Sequence, residues 1–545
     1  MRNRSGSRFV FRVLGISAIF LLICFVGGLT HGFDADELQN LHFAYNIQHG
    51  LMPFRDFFEH HPPVFHYVLA AITQPFQEPS FGLLLLTRSM AMVVLAYMLW
   101  AFYRLIRLAL KPRDAAIGIL ALLSINPFGL TAMEFRADWL ALGLLLHADR
   151  MLLLAMRSRD RLLTHGLPGA LLFGGAICLT QKSIPMVVAA LLWAGLATVF
   201  SRRTELRGAR WTVLSACAAL APAPFLAAWG WFGLKNAGAE FIRNVVLIDL
   251  HWKSEGTWRY VAQQTVPLSA PLFIAAYAGL AAGCLKRFRL LTRMTFSSFV
   301  GAQLFAGTFC MFATPVPHGQ SFAFYVVPWV ALMATRAIAG SRFLRSIKRS
   351  ENLSLPVMVG GAFTLAACYW YNAALTLMLW AVIPFVILAI GKIGNRMRLT
   401  TAQACIAAAA IGLGVQAGSS INSAMKGEGI EQASVQKFVT QTLDPEESII
   451  GTWPLLTPYR RQPTYHGFAR RGLVQTVGVS ALEEEYISAM RSGKTRAALV
   501  DEKDVAIQMP GFARFLHEEC IQAPGMPPNR DRAHLYLYEA RHVTR

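Results

Sequence analysis

Carboxylates, imidazoles and a guanidinium crowd one short stretch of this chain: Asp34, Asp36, Glu37, His42, His49, Arg55, Asp56, Glu59, His60 and His61. A carboxylate within hydrogen-bond reach of a hydroxyl can take its proton as the oxygen attacks. A second acidic site follows later, in Glu134-Phe135-Arg136-Ala137-Asp138. Two carboxylates at one depth can divide the roles of base and of charge or metal holder. Isolated cations accompany them: Lys182, Arg243, Lys253 and Arg259, with His318 in Pro315-Val316-Pro317-His318-Gly319. Cations near an acidic face can hold a phosphate. Each of these groups also has a plainer reading. Glu37 can support a helix start, Asp56 can pair with Arg55, and Arg136 can tie Glu134 to Asp138. The lone cations can snorkel or form salt bridges. No phosphate-binding glycine loop, dinucleotide fingerprint, H-E-x-x-H or G-x-S-x-G motif is present.

The elements that must position these groups can be read locally. Asp34-Ala35-Asp36-Glu37 sits where a helix would begin, because acids are favourable at a helix N-terminus. That helix runs through Leu41, Ala44, Tyr45 and Ile47 and stops at Gly50. Pro53 to Pro63 predicts an extended turn, and Val64 to Phe76 is apolar but too short to cross a bilayer. It should lie in the interface or dip in and out.

The rest of the chain explains why such a loop exists. Of 545 residues, 54% are hydrophobic and 15% charged, against roughly 25% charged in soluble domains. The apolar residues fall into about thirteen runs near the length of a membrane helix. They lie near 10–30, 82–103, 114–130, 138–156, 166–181, 183–200, 211–232, 265–285, 294–313, 322–338, 355–371, 373–391 and 400–418. Leu167 to Phe200 is too long for one untilted span, so two short helices with Lys182 at the turn are expected. Lys and Arg alternate with these runs as cytoplasmic loops do: Arg2 to Arg12, Arg104 to Arg113, Arg150 to Arg161, Arg202 to Arg210, Lys286 to Arg293, Arg336 to Arg349 and Lys392 to Arg398. This places the N-terminus inside and both acidic motifs outside. The net charge of +20 is thereby dispersed over small loops facing an anionic leaflet, which excludes a concentrated nucleic-acid face.

Seven of the eight cysteines fall in apolar runs, so no disulfide framework or zinc spacing is expected. The first run lacks a cleavage pattern and reads as an uncleaved anchor. Two domains follow: a membrane body over 1–418, including the outer loop 31–81, and a tail over 419–545 of ordinary composition. Strand-like pieces at 448–450, 497–500 and 535–538, with helices near 430–441 and 481–491, predict a small α/β domain on the outer side.

The motif Asp34-x-Asp36-Glu37, followed by Gly50-Leu51-Met52-Pro53-Phe54-Arg55-Asp56-Phe57-Phe58-Glu59-His60-His61-Pro62-Pro63, resembles the first periplasmic loop of the polytopic GT-C glycosyltransferases. The likeness is to the bacterial protein-mannosyltransferase-like and aminoarabinose-transferase-like enzymes. Glu134 to Asp138 resembles their second acidic loop, Leu179-Thr180-Gln181-Lys182 their "LTK" turn, and Tyr325 to Pro328 a late segment. The resemblance covers roughly residues 10–340. It implies a polytopic α-helical fold and transfer of a sugar from a polyprenyl-phosphate donor to a lipopolysaccharide, other envelope glycan, lipid or protein acceptor. The setting implied is the periplasmic face of a bacterial inner membrane.

It also implies roles. Asp36 is the expected base, then Asp34, with Glu37 in support and Asp138 and Glu134 orienting. Lys182, Arg55, Arg243 and His318 are expected on the donor phosphate, and Glu59, His60 and His61 on sugar or acceptor. A monophosphate donor needs no metal; a diphosphate would favour a divalent ion. The aminoarabinose branch carries an Arg soon after its "DE", whereas Leu38-Gln39-Asn40 here has no cation. A transporter or lipid flippase is the competing reading, but transporters carry charged or broken helices near the midplane, and these acids cluster at one face.

Overall fold

A computed structural model describes residues 4–76, 80–125, 131–157, 161–201, 204–248, 251, 269–277, 295–313, 319–339, 401–426, 428–444, 446–452, 459–461, 463–527 and 533–538. The expected spans at 355–371 and 373–391 lie outside the described residues, as do Lys253, Arg259 and His318.

The membrane body is helical. Its main helices are α1 (Arg4–His31), α2 (Ala35–Gln48), α3 (Val64–Thr73), α4 (Phe81–Ile106), α5 (Pro112–Ser124), α6 (Ala137–Ala155), α7 (Leu167–Leu179), α8 (Ser183–Val199), α9 (Arg207–Leu220), α10 (Ala223–Leu234), α11 (Phe296–Ala313), α12 (Val327–Ala339) and α13 (Thr401–Lys426). Among the described residues, four segments are long and apolar enough to cross a membrane: Phe9–His31, Phe81–Ile106, Thr204–Leu234 and Phe296–Ala313. They expose large apolar side chains such as Phe11, Ile19, Val93 and Phe305. A water-soluble surface avoids such patches, whereas lipid accepts them. The buried sides pack α6 between α4 and α7, and α13 against α1 and α5.

Prolines explain where the helices depart from the expected spans. The run 211–232 divides at Ala221-Pro222 into α9 and α10, because Pro222 and Pro224 donate no backbone hydrogen bond. The run 322–338 likewise divides at Val326, two residues before Pro328. The Leu167–Phe200 stretch does fold as two short helices turning at Thr180 to Lys182. With 13 residues, α7 is only about 20 Å long at 1.5 Å per residue, so its end and Lys182 mark the depth of the site.

The long loop after α1 is built on α2 and α3. Gln48 of α2 donates to Ala70 O at 2.6 Å and to Thr73 Oγ1 at 3.1 Å, which fastens the two helices together. Between them the chain from Pro53 to Pro63 is irregular. Phe54 (φ 69°) is fully buried, edge-on to Phe232 and Phe241 at 4.9 and 5.0 Å. A bulky residue at positive φ costs energy, and this aromatic burial offsets it.

Past α13, α14 (Glu428–Thr442) leads into the tail. The tail holds β1 (Ile449–Thr452), β2 (Phe468–Ala469), α15 (Arg471–Val477), α16 (Val479–Arg491), β3 (Ala497–Asp501), α17 (Glu502–Gln508), α18 (Pro510–Glu519), β4 (Ile521–Gln522) and β5 (Ala533–Leu537). The sheet order is β2-β1-β3-β5-β4. Strand β1 runs parallel to β2 and β3, while β5 is antiparallel to β3 and β4. Side chains alternate across β3 as a strand requires. Ala497 and Leu499 join Val435 and Val439 of α14; Ala498 and Val500 join Leu482, Tyr486, Phe512 and Leu516 on the other face. The expected strands and helices of this α/β unit are therefore present, with β2, β4, α15, α17 and α18 added.

Body and tail meet beside the first loop. Gly32 has φ +81°, and a Cβ added to Gly429 would lie 2.8 Å from both Gly32 N and Thr30 O. Gln432 then closes both ways on Phe33, accepting from its N–H at 2.9 Å and donating to its C=O at 2.8 Å. Such a backbone crossing admits no side chain. Gly429→Val is expected to lower stability by about 1–3 kcal/mol through overpacking, read as a lower melting temperature in detergent. Gly195→Ala is the control, since a Cβ there meets nothing within 4 Å; equal melting of the two variants would contradict the crossing.

Candidate functional site

The site begins with a helix start. Asp34 caps α2: its Oδ2 accepts from Asp36 N–H at 2.9 Å, and Glu37 Oε2 accepts from Asp34 N–H at 3.0 Å. This reciprocal capping box ties Asp34 and Glu37 to the helix start. Glu37 is buried and paired through both oxygens with Arg88 of α4, one contact being 2.9 Å. It also accepts from Phe135 N–H at 2.7 Å. Burial alone would raise the Glu37 pKa; the Arg88 charge and these hydrogen bonds outweigh it and hold the carboxyl below its usual range. Arg88 further donates to Gly28 O at 3.1 Å, to Met133 O at 3.0 Å and to Gly32 O. One side chain thus ties the C-terminal end of α1, the start of α2 and the loop before α6.

Arg136 is the second hub. Its guanidinium contacts Asp34 and Asp36, and its Nε lies 2.5 Å from Glu134 Oε2. Burial, together with the negative charge of Asp34, Glu37 and Asp36, lifts the Glu134 carboxyl well above the ordinary range despite Arg136. Burial raises Asp34 as well, with Arg136 opposing. Asp138 pairs with Lys182, whose Nζ donates to its Oδ2 at 2.8 Å, and the charge of Arg136 acts on it as well. The two acidic motifs and the Lys182 turn are therefore joined. A further cation arrives from the tail: Arg470 Nη1 lies 3.7 Å from Asp36 Oδ1. Asp36 keeps 29% of its side chain exposed, so it can be reached from outside.

Glu59 organises the neighbouring turn. Its buried Oε1 accepts from His60 N–H at 2.8 Å, His61 N–H at 2.7 Å and His61 Nδ1 at 2.9 Å. His66 Nε2 lies 3.7 Å from Glu59 Oε2 and 2.9 Å from Asn40 Oδ1. Burial opposes ionisation of Glu59, but His66 and His61 hold its pKa below normal. Burial pushes His60 well down, with His61 and Arg470 adding to the effect and Asp36 opposing. Ligand atoms of Glu59, His60 and His61 all lie within 4.8 Å of one another, and Glu59 Oε2 has no hydrogen-bond partner among the described residues. That donor set fits a divalent cation.

The remaining expected residues sit elsewhere. Arg55 forms a two-bonded pair with Asp56 at 2.9 and 2.7 Å, with 46% of its side chain exposed. Arg243 begins a π-helical turn, whose next residue, Asn244, donates to Tyr465 Oη at 2.9 Å. Sequence reasoning missed Arg88, although a cation seven residues into an apolar helix was its signal, and it missed Arg470, which had none.

Solved structures match this architecture. ArnT from Cupriavidus metallidurans in the apo state matches with a TM-score of 0.64 at 14% identity, covering 98% of each chain. The fold is that of the GT-C membrane glycosyltransferases. The ArnT structure bound to undecaprenyl phosphate matches the GT-C fold of this chain with a TM-score of 0.61, at 14% identity over 97% of this chain and 98% of that one. The oligosaccharyltransferase of Archaeoglobus fulgidus matches at 0.50, with 11% identity over 98% of this chain and 75% of that one. The sequence profile of the dolichyl-phosphate-mannose-protein mannosyltransferase family matches residues 60–231. That stretch holds Glu134, Arg136, Asp138 and Lys182, but neither Asp36 nor Arg470. No curated protein sequence matches the chain.

Proposed function

We propose that this chain transfers a sugar from a polyprenyl-phosphate donor to an envelope glycan, lipid or protein acceptor, at the periplasmic face of a bacterial inner membrane. The observation that supports the reading is that Asp36 meets Arg136 and Arg470, and Asp138 meets Lys182, at helix ends of a GT-C fold. The N-terminus lies in the cytoplasm and the tail in the periplasm, as the distribution of Lys and Arg supports.

The acceptor hydroxyl attacks the anomeric carbon while Asp36 takes its proton. The bond from that carbon to the phosphate oxygen breaks, and the lipid phosphate leaves with the electron pair. One displacement inverts the configuration. Lys182, set by Asp138, meets the negative charge gathering on the phosphate; Arg243, His318 and the exposed Arg55 are further candidates for the same phosphate. Asp34, Glu37 and Glu134 hold Asp36 in place through the capping box and Arg136. His60 and His61, fixed by Glu59, face the sugar or acceptor. The transfer requires no metal; a divalent ion held by Glu59, His60 and His61 would add positive charge near the phosphate.

Lys182→Ala is expected to raise the KM for a polyprenyl-phosphate sugar by roughly 10–100-fold, the worth of one charge-assisted hydrogen bond. Transfer of radiolabel to envelope acceptors measures it, and an unchanged KM would remove Lys182 from the donor site. Mass analysis of envelope glycolipids and glycoproteins from a deletion strain identifies the missing sugar. Activity should survive dialysis against EDTA, and its complete loss would make the metal essential.

A further inference from the structure

A second group of charged and aromatic residues stands where α4 and α6 pack together, far from Asp36. Val93, Tyr97, Trp100 and Arg104 recur along α4 at helical spacing, which puts them on one face. Val93 and Trp100 are exposed there, on a surface that lipid covers. Trp and Tyr gather at bilayer interfaces, which sets the level of this stripe. Gly143 of α6 lets the helices close, since an added Cβ would lie 2.8 Å from the Tyr97 ring. Tyr97 Oη lies 3.2 Å from His147 Nδ1. When that hydroxyl donates to Nδ1, the ring carries its own proton on Nε2. Trp100 stands edge-on to His147 at 5.1 Å, and the Arg104 guanidinium lies 5.5 Å from the Trp100 centroid.

The cations of this group act on one another: Arg104 and Arg150 on His147, and Arg104 on Arg150. Among the described residues, no carboxylate forms an ion pair with Arg104, His147 or Arg150. Asp149 adjoins Arg150 in sequence but is fully buried, 3.5 Å from Gln303 Nε2. Arg150 Nε is buried without a hydrogen-bond partner, and its Nη1 reaches only Met151 Sδ at 3.9 Å. Like charges gathered beside lipid repel strongly, so the group favours an anion. Arg150 lies twelve residues beyond Asp138, about 18 Å further along the helix at 1.5 Å per residue. The group therefore faces the other leaflet, and the long Arg stems carry their charge to its headgroups. Val93 lies toward the midplane from Arg104, where an acyl chain runs. A zwitterionic headgroup would bring one more cation to the group; an anionic one brings none.

We propose that Trp100, Arg104, His147 and Arg150 bind the headgroup phosphate of an anionic phospholipid in the leaflet opposite Asp36. The proposal uses the membrane setting of the fold and does not depend on the sugar-transfer reading.

The test uses the full chain in detergent, titrated with phosphatidylglycerol or with phosphatidylcholine of the same acyl chains. Native mass spectrometry measures the first bound lipid. Phosphatidylglycerol should bind the unaltered chain about 10-fold or more tightly, the worth of one charge-assisted hydrogen bond. Arg104→Gln combined with Arg150→Gln should remove that preference. Arg107→Gln should keep it, because the exposed Arg107 donates to Leu110 O at 2.6 Å and stands outside the group. Glycerol 1-phosphate, the same phosphate without chains, should not displace the lipid. Phenylglyoxal labelling of the unaltered chain in nanodiscs needs no variant. Phosphatidylglycerol should protect Arg104 relative to Arg107, and phosphatidylcholine should not. Equal binding of the two lipids, an equal loss in Arg107→Gln, or equal labelling of Arg104 in both nanodiscs overturns the proposal. Displacement by glycerol 1-phosphate overturns it too, in favour of a free phosphate.

Discussion

Asp36→Asn should insert, fold and bind a polyprenyl-phosphate lipid, yet transfer sugar roughly 10²–10⁴-fold more slowly, the usual contribution of a general base. The substitution is close to isosteric. An amide oxygen still accepts from Arg136, so the hub that joins α2 to the second acidic loop survives. What disappears is the capacity to take a proton. Asp34 provides the contrast. Its carboxylate caps α2, and Asn caps a helix as well as Asp does, so Asp34→Asn should lose far less. Single-turnover transfer of labelled sugar separates the two. An Asp36→Asn variant with an unaltered rate would end the assignment of Asp36 as the base.

The largest stability effect is expected at Arg88. Removing one partner of a buried pair leaves the other charged and unpaired, at a cost of about 3–5 kcal/mol. Arg88→Ala would strand Glu37, which is 3% exposed, and would also release the carbonyls of Gly28, Gly32 and Met133. Arg88→Lys should rescue little, because one ammonium cannot reproduce a fork that meets a carboxylate and three carbonyls. Adding Glu37→Leu to Arg88→Met should recover part of the loss by removing the stranded charge. Thermal unfolding in detergent checks the series. An unchanged melting temperature in Arg88→Ala would show that the pair is not a keystone.

Features set by neighbours in the chain were the legible ones. The helix start at Asp34 to Glu37, the end of α2 before Gly50, the Arg55–Asp56 pair and the Lys182 turn all depend on residues a few positions apart. The strands at 449–452, 497–501 and 533–537 show the same locality. Bonds between distant segments leave no such trace. Arg136 could be read only with Glu134 and Asp138, yet it reaches back to Asp34 and Asp36, while Asp138 goes to Lys182. Arg88 looked like one cation in an apolar run, because the carboxylate that neutralises it comes from another helix. Arg470 sits in a stretch whose pattern is that of an ordinary strand-to-helix turn. Two apolar runs, 211–232 and 322–338, also divided into shorter helices, since proline breaks a backbone ladder.

The crossing of Gly32 with Gly429 also sets an order of events during synthesis. Phe33 waits for Gln432, which lies 399 positions later in the chain. At about 5–20 residues per second, the first loop would stand without its partner for roughly 20–80 s after emerging. Throughout that interval the acidic loop is already made, but its contacts with Tyr465 and Arg470 are not. If the chain acts as proposed, a nascent chain lacks the tail contacts to its first loop until its last domain has been made and docked. On that reading, a chain cut short after α13 is expected to sit in the bilayer without transferring sugar.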